Sequence, residues 1–281
     1  MTQEPAMTIK TPIGYTTRDE IFVRDRNIAT DIIGKLDFVD MIFLAATGAP
    51  PTEAMKRMSN ALMVAVTDHG LPPSAIATRL TILGAPESIQ GAVAAGLLGA
   101  GNHFLGTMQL SAQLLQDTVA TLGPDAGDAE FNACAAALVR EHRSSKRIVP
   151  GIGHPIHIKG DPRVPALRAL AAECGFAGRH WRLAGAIERA AQSEYGKLLP
   201  LNAAGAVGAS VSDMGLDPLW ARGFALIGRS AGLVAHLIDE KRAPLGQKLW
   251  DLVLAQDDSA ELAGHDNPIP QRAKFVAGNN P

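Results

Sequence analysis

The chain has 281 residues, 47% of them hydrophobic and 19% charged, with a formal net charge of -2. That length and apolar content can fill a sizeable core and exclude disorder for the bulk of the chain. The balanced charge lacks the basic footprint of a nucleic-acid binder. Two cysteines, Cys134 and Cys174, cannot make a disulfide framework. Eight histidines without Cys-x-x-Cys or His-Glu-x-x-His spacing give no zinc motif, so no metal is expected.

In chain order, residues 1–10 are polar and lack the apolar stretch of a secretory signal. The longest apolar run, 91–101, is about half of the roughly 20 residues that a membrane-spanning helix needs. The expectation is a cytoplasmic protein with no membrane partner. Short strand candidates lie near 9–15 and 21–23. Helical spacing begins at 30–47, where Ile32, Ile33, Leu36, Phe38, Val39, Ile42 and Phe43 fall mostly at three- and four-residue steps before Thr47-Gly48. Pro51-Thr52 opens the next helix, carrying Met55, Met58, Leu62 and Val66, with the proline-first punctuation helices favour. Further helices are predicted at 73–83, 88–99, 107–122, 128–143, 164–172, 181–197, 203–214 and 218–241. The Pro-, Asn- and Gly-rich tail 265–281 reads as extended. The fold class is all-α with minor short β-strands near the amino terminus.

Three places read unlike ordinary core or surface. Thr67-Asp68-His69-Gly70 puts an imidazole at a helix end, where the dipole alone would also explain it. The stretch from Ile148 through His154, Pro155 and His157 to Asp161-Pro162-Arg163 gathers glycines, imidazoles and a guanidinium in an irregular loop, the kind of place where binding groups reside. Gly228-Arg229-Ser230-Ala231-Gly232 sets an arginine among Phe224, Leu226, Ile227, Leu233 and Val234. Such an arginine needs an anion, either Asp239 or a neighbouring carboxylate, or a bound carboxylate held by its planar fork. Two histidines and two arginines together suggest a polycarboxylate site, with imidazoles available to a hydroxyl or carbonyl near neutral pH. No Gly-x-Ser-x-Gly elbow supports a serine hydrolase. His142, His157, His180, His236 and His265 read as surface or structural, with His157 the exception because it lies close to His154.

Thr67 to Gly70, Gly151-Ile152-Gly153-His154, Asp161-Pro162-Arg163, and the run from Gly228-Arg229-Ser230 to Asp239, Lys241 and Arg242 stand in one characteristic order. In these the chain resembles the citrate synthase superfamily, most of all citryl-CoA lyase and the citryl-CoA-cleaving part of ATP-citrate lyase. The resemblance implies a citrate synthase-like helical homodimer. Each subunit would have a large domain, approximately 20–145 and 205–265, and a small domain, approximately 146–204. It implies no tightly bound cofactor, a coenzyme A thioester as substrate, and a 2-oxoacid or polycarboxylate as its partner. His69 would bind the oxaloacetate or citrate moiety and His154 its carbonyl or hydroxyl oxygen. Arg163 and Arg229 would clamp carboxylates, and Val149, Pro150, Gly151, Ile152 and Gly153 would bind the CoA adenine.

The chain also departs from the family. The catalytic Asp of the Asn-x-Asp-Gly-like stretch is Ala204 in Leu201-Asn202-Ala203-Ala204-Gly205. Losing a positioned acid-base typically costs roughly 10² to 10⁴ in rate. Phe104 stands where citrate synthase has a histidine supporting the thioester, and Pro155 replaces the arginine of the lyase pattern. His103 is the candidate replacement acid or base, whereas Asp213 lies nine residues past Ala204, about 13 Å along a helix. The leading expectation is a citryl-CoA lyase-type enzyme joining or cleaving oxaloacetate and the acetyl-CoA enolate. The alternatives are a catalytically silent protein that binds a CoA thioester or polycarboxylate, and an enzyme altered for a bulkier acyl group.

Overall fold

The computed structural model describes residues 10–257. Three short antiparallel strands open it: β1 (Gly14–Thr16), β2 (Ile21–Val23) and β3 (Arg26–Asn27). Tyr15 pairs with Phe22 across β1 and β2, their rings stacked at 4.7 Å. Ile9, at the start of the first predicted strand, lies outside the described residues, as do the tail 265–281 and the last part of the range 205–265.

Eleven α-helices follow among the described residues: α1 (Phe38–Thr47), α2 (Glu53–Val66), α3 (Pro73–Gly84), α4 (Ile89–Leu98), α5 (Gly106–Ala120), α6 (Asp128–Ser144), α7 (Arg163–Glu173), α8 (Arg179–Tyr195), α9 (Ala203–Asp213), α10 (Pro218–Arg242) and α11 (Gly246–Leu254). Most match the predicted helices within a residue or two. The helix expected over 30–47 is corrected. Residues Ile28–Ile32 form one π-helical turn, Gly34 takes a left-handed φ of 77°, and α1 starts only at Phe38. The apolar period crossed that break, but Asp37 caps the helix reciprocally with Asp40 and sets the true start. Sequence reading missed α11, a short amphipathic helix whose Leu252 and Val253 are exposed.

At the centre lies α9, every residue from 203 to 212 buried. It carries nothing larger than valine until Asp213, which lets neighbours approach closely: a Cβ on Gly208 would meet the Ala112 amide nitrogen of α5 at 2.8 Å. The core continues through Phe131, Trp181, Leu183 and Val207, and the Trp181 indole donates to Ser210 Oγ at 3.1 Å. The long α10 passes α2, α3, α4 and α5. Gly232 permits the crossing with α2, since a Cβ there would collide with the Thr67 carbonyl. Cys134 and Cys174 are free thiols. No helix among the described residues is long and apolar enough to cross a membrane.

Candidate functional site

The site starts where α2 ends. Gly70, at φ 75°, turns the chain, and its amide donates to Asp68 Oδ2 at 3.1 Å. From α10, His236 Nε2 meets Asp68 Oδ1 at 2.9 Å. The other ring nitrogen of His236 faces only guanidinium N–H groups of Arg79, at 3.1 and 2.9 Å. Nδ1 therefore accepts, and Nε2 carries the proton that it donates to Asp68. Burial raises the Asp68 carboxyl, but the Gly70 amide and His236 outweigh it and hold the group below its ordinary value. This support fixes the turn that carries His69. Sequence reading had left His236 as structural and did not see its partners, although Arg229, Gly232, His236 and Asp239 repeat on one face of α10.

A second segment brings the other imidazoles. Gly151 and Gly153 adopt φ of 89° and 79°, and the loop lies against the entry to α9. Gly153 N donates to the Pro200 carbonyl at 2.7 Å, Asn202 N to Gly151 O at 2.9 Å, and Asn202 Nδ2 to Gly153 O at 2.6 Å. A Cβ on Gly151 would come within 2.6 Å of the Gly205 Cα, so only glycine fits. Much of the backbone of Val149, Pro150, Gly151, Ile152 and Gly153 is thus bonded within the chain, less open than the sequence suggested.

Three histidines then converge. His154 Nδ1 accepts the backbone N–H groups of Ile156 and His157, both at 3.0 Å. That fixes a neutral ring with its proton on Nε2, ready to donate. His69 Nε2 and His157 Nε2 lie 3.1 Å apart, and the His154 and His157 ring centres 4.4 Å apart. Burial first, then Arg163, lowers the His69 pKa; burial first, then His157, lowers that of His154. Both are neutral imidazoles near neutral pH.

Two guanidiniums frame them differently. Arg163 Nε and Nη2 grip both oxygens of Asp161 at 2.9 and 2.8 Å, and Nη1 donates to Ala65 O at 3.1 Å. Asp161 is buried and also accepts Ala203 N at 2.9 Å. Burial pulls its carboxyl upward, yet the Arg163 and backbone hydrogen bonds prevail and hold it at about 2. Arg229 is 6% exposed, with Nε and Nη1 lacking any hydrogen-bond partner. Its nearest carboxylate is Asp68 at 3.9 Å, since Asp239 pairs with Arg79 instead. Asp239, one internal anion that the sequence offered for Arg229, is therefore committed elsewhere, and the neighbouring carboxylate it also offered is Asp68, beyond hydrogen-bond distance. Burial lowers the Arg229 pKa against the opposing pull of Asp68, and a buried charge so weakly paired is costly unless a bound anion meets it.

The remaining predicted residues are placed as follows. Ala204 is buried in the first turn of α9, capped by Asn202, and the backbone there brings no carboxylate of its own. Asp213 accepts the backbone N–H groups of Gly178, His180 and Trp181 and so holds the start of α8. His103 and Phe104 are exposed on a π-helical turn, Gly101–Leu105, and Pro155 is exposed beside His154. A surface hollow of about 740 Å³ lies elsewhere, lined by Asp37, Lys56, Arg57, Glu173 and Cys174. Its charges already pair, Lys56 with Asp40 and Arg57 with Glu173, so it offers no unmet group.

The nitrogens of His69, His154 and His157 lie within 4.8 Å of one another, close enough to surround an ion. Ligation by His154 would require breaking its two backbone bonds or removing the Nε2 proton. Two imidazoles then remain, one fewer than the three protein ligands typical of an open zinc site. The arrangement suits hydrogen bonding to substrate oxygen, with carboxylates held by guanidinium.

Residues 11–250 match the family described as citrate synthase, C-terminal domain. The chain is 34% identical to citryl-CoA lyase from Hydrogenobacter thermophilus, superposing with a TM-score of 0.72 over 83% of this chain and 87% of that one. ATP citrate lyase from Methanothrix soehngenii, solved with citrate and coenzyme A, shares the fold at TM-score 0.69 and 22% identity, over 86% of this chain and 40% of that one. A probable ATP-citrate synthase of Dictyostelium discoideum is 27% identical over 197 residues, 64% of this chain and 30% of that protein. The chain thus spans about a third of the length of the curated relatives it matches. With its helical architecture, its order of motifs and this match over most of its length, the chain belongs to the citrate synthase family.

Proposed function

We propose that the protein is a citryl-CoA lyase-type enzyme, cleaving or forming the carbon-carbon bond between oxaloacetate and the acetyl-CoA enolate. The observation that carries this reading is Arg229, buried with Nε and Nη1 unmatched beside neutral imidazoles. A substrate carboxylate supplies the missing acceptor in bidentate geometry. Arg163 has N–H groups beyond those given to Asp161 and Ala65 and takes a second carboxylate. His154 donates from Nε2 to the oxygen that is hydroxyl in citryl-CoA and carbonyl in oxaloacetate, stabilising it as charge develops. His69 binds the same acid moiety. Val149 to Gly153 holds the CoA adenine, and His103 stands as a candidate proton donor. Likeness to a citryl-CoA lyase along nearly the whole of both chains supports the substrate class.

The same reading takes a homodimer as the working unit, with 146–204 as the smaller part of each subunit. A second reading rests on Ala204: binding groups persist where the acid-base carboxylate is missing, as in a silent binding protein. Citryl-CoA cleavage by the native chain beside Ala204→Asp separates the two. Turnover by the native chain supports the lyase. Turnover by Ala204→Asp alone supports a binding protein, and unreacted substrate with both variants overturns this choice of acyl group.

A further inference from the structure

Ala204 leaves the proton of the reaction without its family carrier, while His157 has no counterpart among the roles the resemblance assigns. In cleavage, the citryl hydroxyl must lose a proton, the carbon-carbon electron pair must pass to the carbon α to the thioester carbonyl, and that enolate carbon must gain a proton. His154 cannot accept the hydroxyl proton: its Nδ1 receives two backbone N–H groups and its Nε2 is already protonated. Arg163 and Arg229 carry no lone pair to accept one.

His69 and His157 differ from His154 in this respect. Their Nε2 atoms face each other at 3.1 Å, so one donates and the other accepts, and a single proton lies between them. Their rings are perpendicular, at 87°, with centres 5.3 Å apart, and both are partly shielded from solvent. Facing His69 are Arg163, Arg229, His154 and Asp161, the first two disfavouring added charge and Asp161 favouring it.

The geometry points to His157 as the positioning partner of His69: it holds the His69 ring through Nε2 and shares the added proton, so the two rings act as one base that later returns the proton to the enolate. This rests on the lyase reading. The balance closes, because one proton leaves oxygen, resides on the pair and ends on carbon, with no oxidant or outside acid. His157 thereby supplies, through His69, the acid-base capacity missing at Ala204.

The test uses the full chain and two variants, His157→Gln and His157→Leu. Glutamine can still hydrogen-bond to His69 but cannot bind a proton. Citryl-CoA cleavage by His157→Gln should lose about 10² in kcat with KM little changed, and its pH profile should lose one ionisation. Full kcat and an unaltered profile in His157→Gln would overturn the inference while leaving the lyase reading intact. An independent arm follows the imidazole ¹⁵N signals of the free protein with pH. His69 should titrate in two coupled steps in the native chain and in one step in both variants. The same His69 curve in all three proteins sinks the pair even if citryl-CoA proves to be the wrong substrate.

Discussion

Two buried arginines meet at one long helix, α10, and their surroundings are opposite. Arg79, from α3, gives Nη1 to Glu240, Nη2 to Asp239 at 2.8 Å and Nε to His236 at 3.1 Å. Arg229, on α10 itself, is buried to a similar degree but has Nε and Nη1 unmatched. One guanidinium is part of the scaffold that steadies the Asp68 turn. The other is met only by Asp68 at 3.9 Å, which offsets its desolvation in part. Burial alone does not distinguish structure from function here; the acceptor count does.

Four experiments would break or sharpen that contrast. Arg229→Met should reduce kcat/KM for citryl-CoA by about 10³, as expected when one partner of a desolvated charge pair is removed. Its folding stability should hold or rise, because an unmatched buried charge leaves with it. A loss of stability together with unchanged turnover would reverse the assignment. For Arg79→Met, urea unfolding should show a loss of about 3–5 kcal/mol, since two carboxylates and His236 are then left without their donor. A neutral outcome would mean that the Arg79 cluster is not structural.

Citrate at about 100 times its Kd should stabilise the native chain by about 2.7 kcal/mol and leave Arg229→Met essentially unshifted. Equal shifts in both proteins would remove Arg229 from the carboxylate site. The smallest effect concerns Arg163, an intermediate case with a carboxylate partner already in place. Asp161 is held at about 2 against an ordinary value of 3.8. Its contribution, about 2 kcal/mol, is therefore complete above pH 4 and lost as pH falls through 2. In acid unfolding, Asp161→Asn should lack that portion of the slope; an identical slope would show that the Arg163 pair adds no stability.

The helical scaffold was legible because α2, α5, α6 and α10 bury one face at helical period, and α2 and α10 also begin with a capping residue or proline. The break at Gly34 was not, since the apolar spacing ran on across it, and α11 is short enough to pass unnoticed. His69, His154, Arg163 and Arg229 stood out by motif. What stayed hidden was pairing over long separations. His157 looked notable for its nearness to His154, to which its backbone N–H is indeed bonded, whereas its ring bonds to His69, 88 residues away. The fate of Asp239 was equally obscure, because Arg79 claims it across 160 residues. One sequence reveals which side chains carry chemistry, but competition among acceptors is settled only by packing.

That long separation also orders the assembly of the protein in time. His69 emerges early in synthesis, His154, His157 and Arg163 midway, and Arg229 only with α10, the last long helix of the described chain. Contacts so distant in sequence form late in folding, after chain closure has been accomplished. A nascent chain lacking α10 therefore has the imidazoles and Arg163 but not Arg229, and so only half of the proposed carboxylate clamp. On the proposed reading, the carboxylate site is thus completed only when α10 packs onto the rest of the chain.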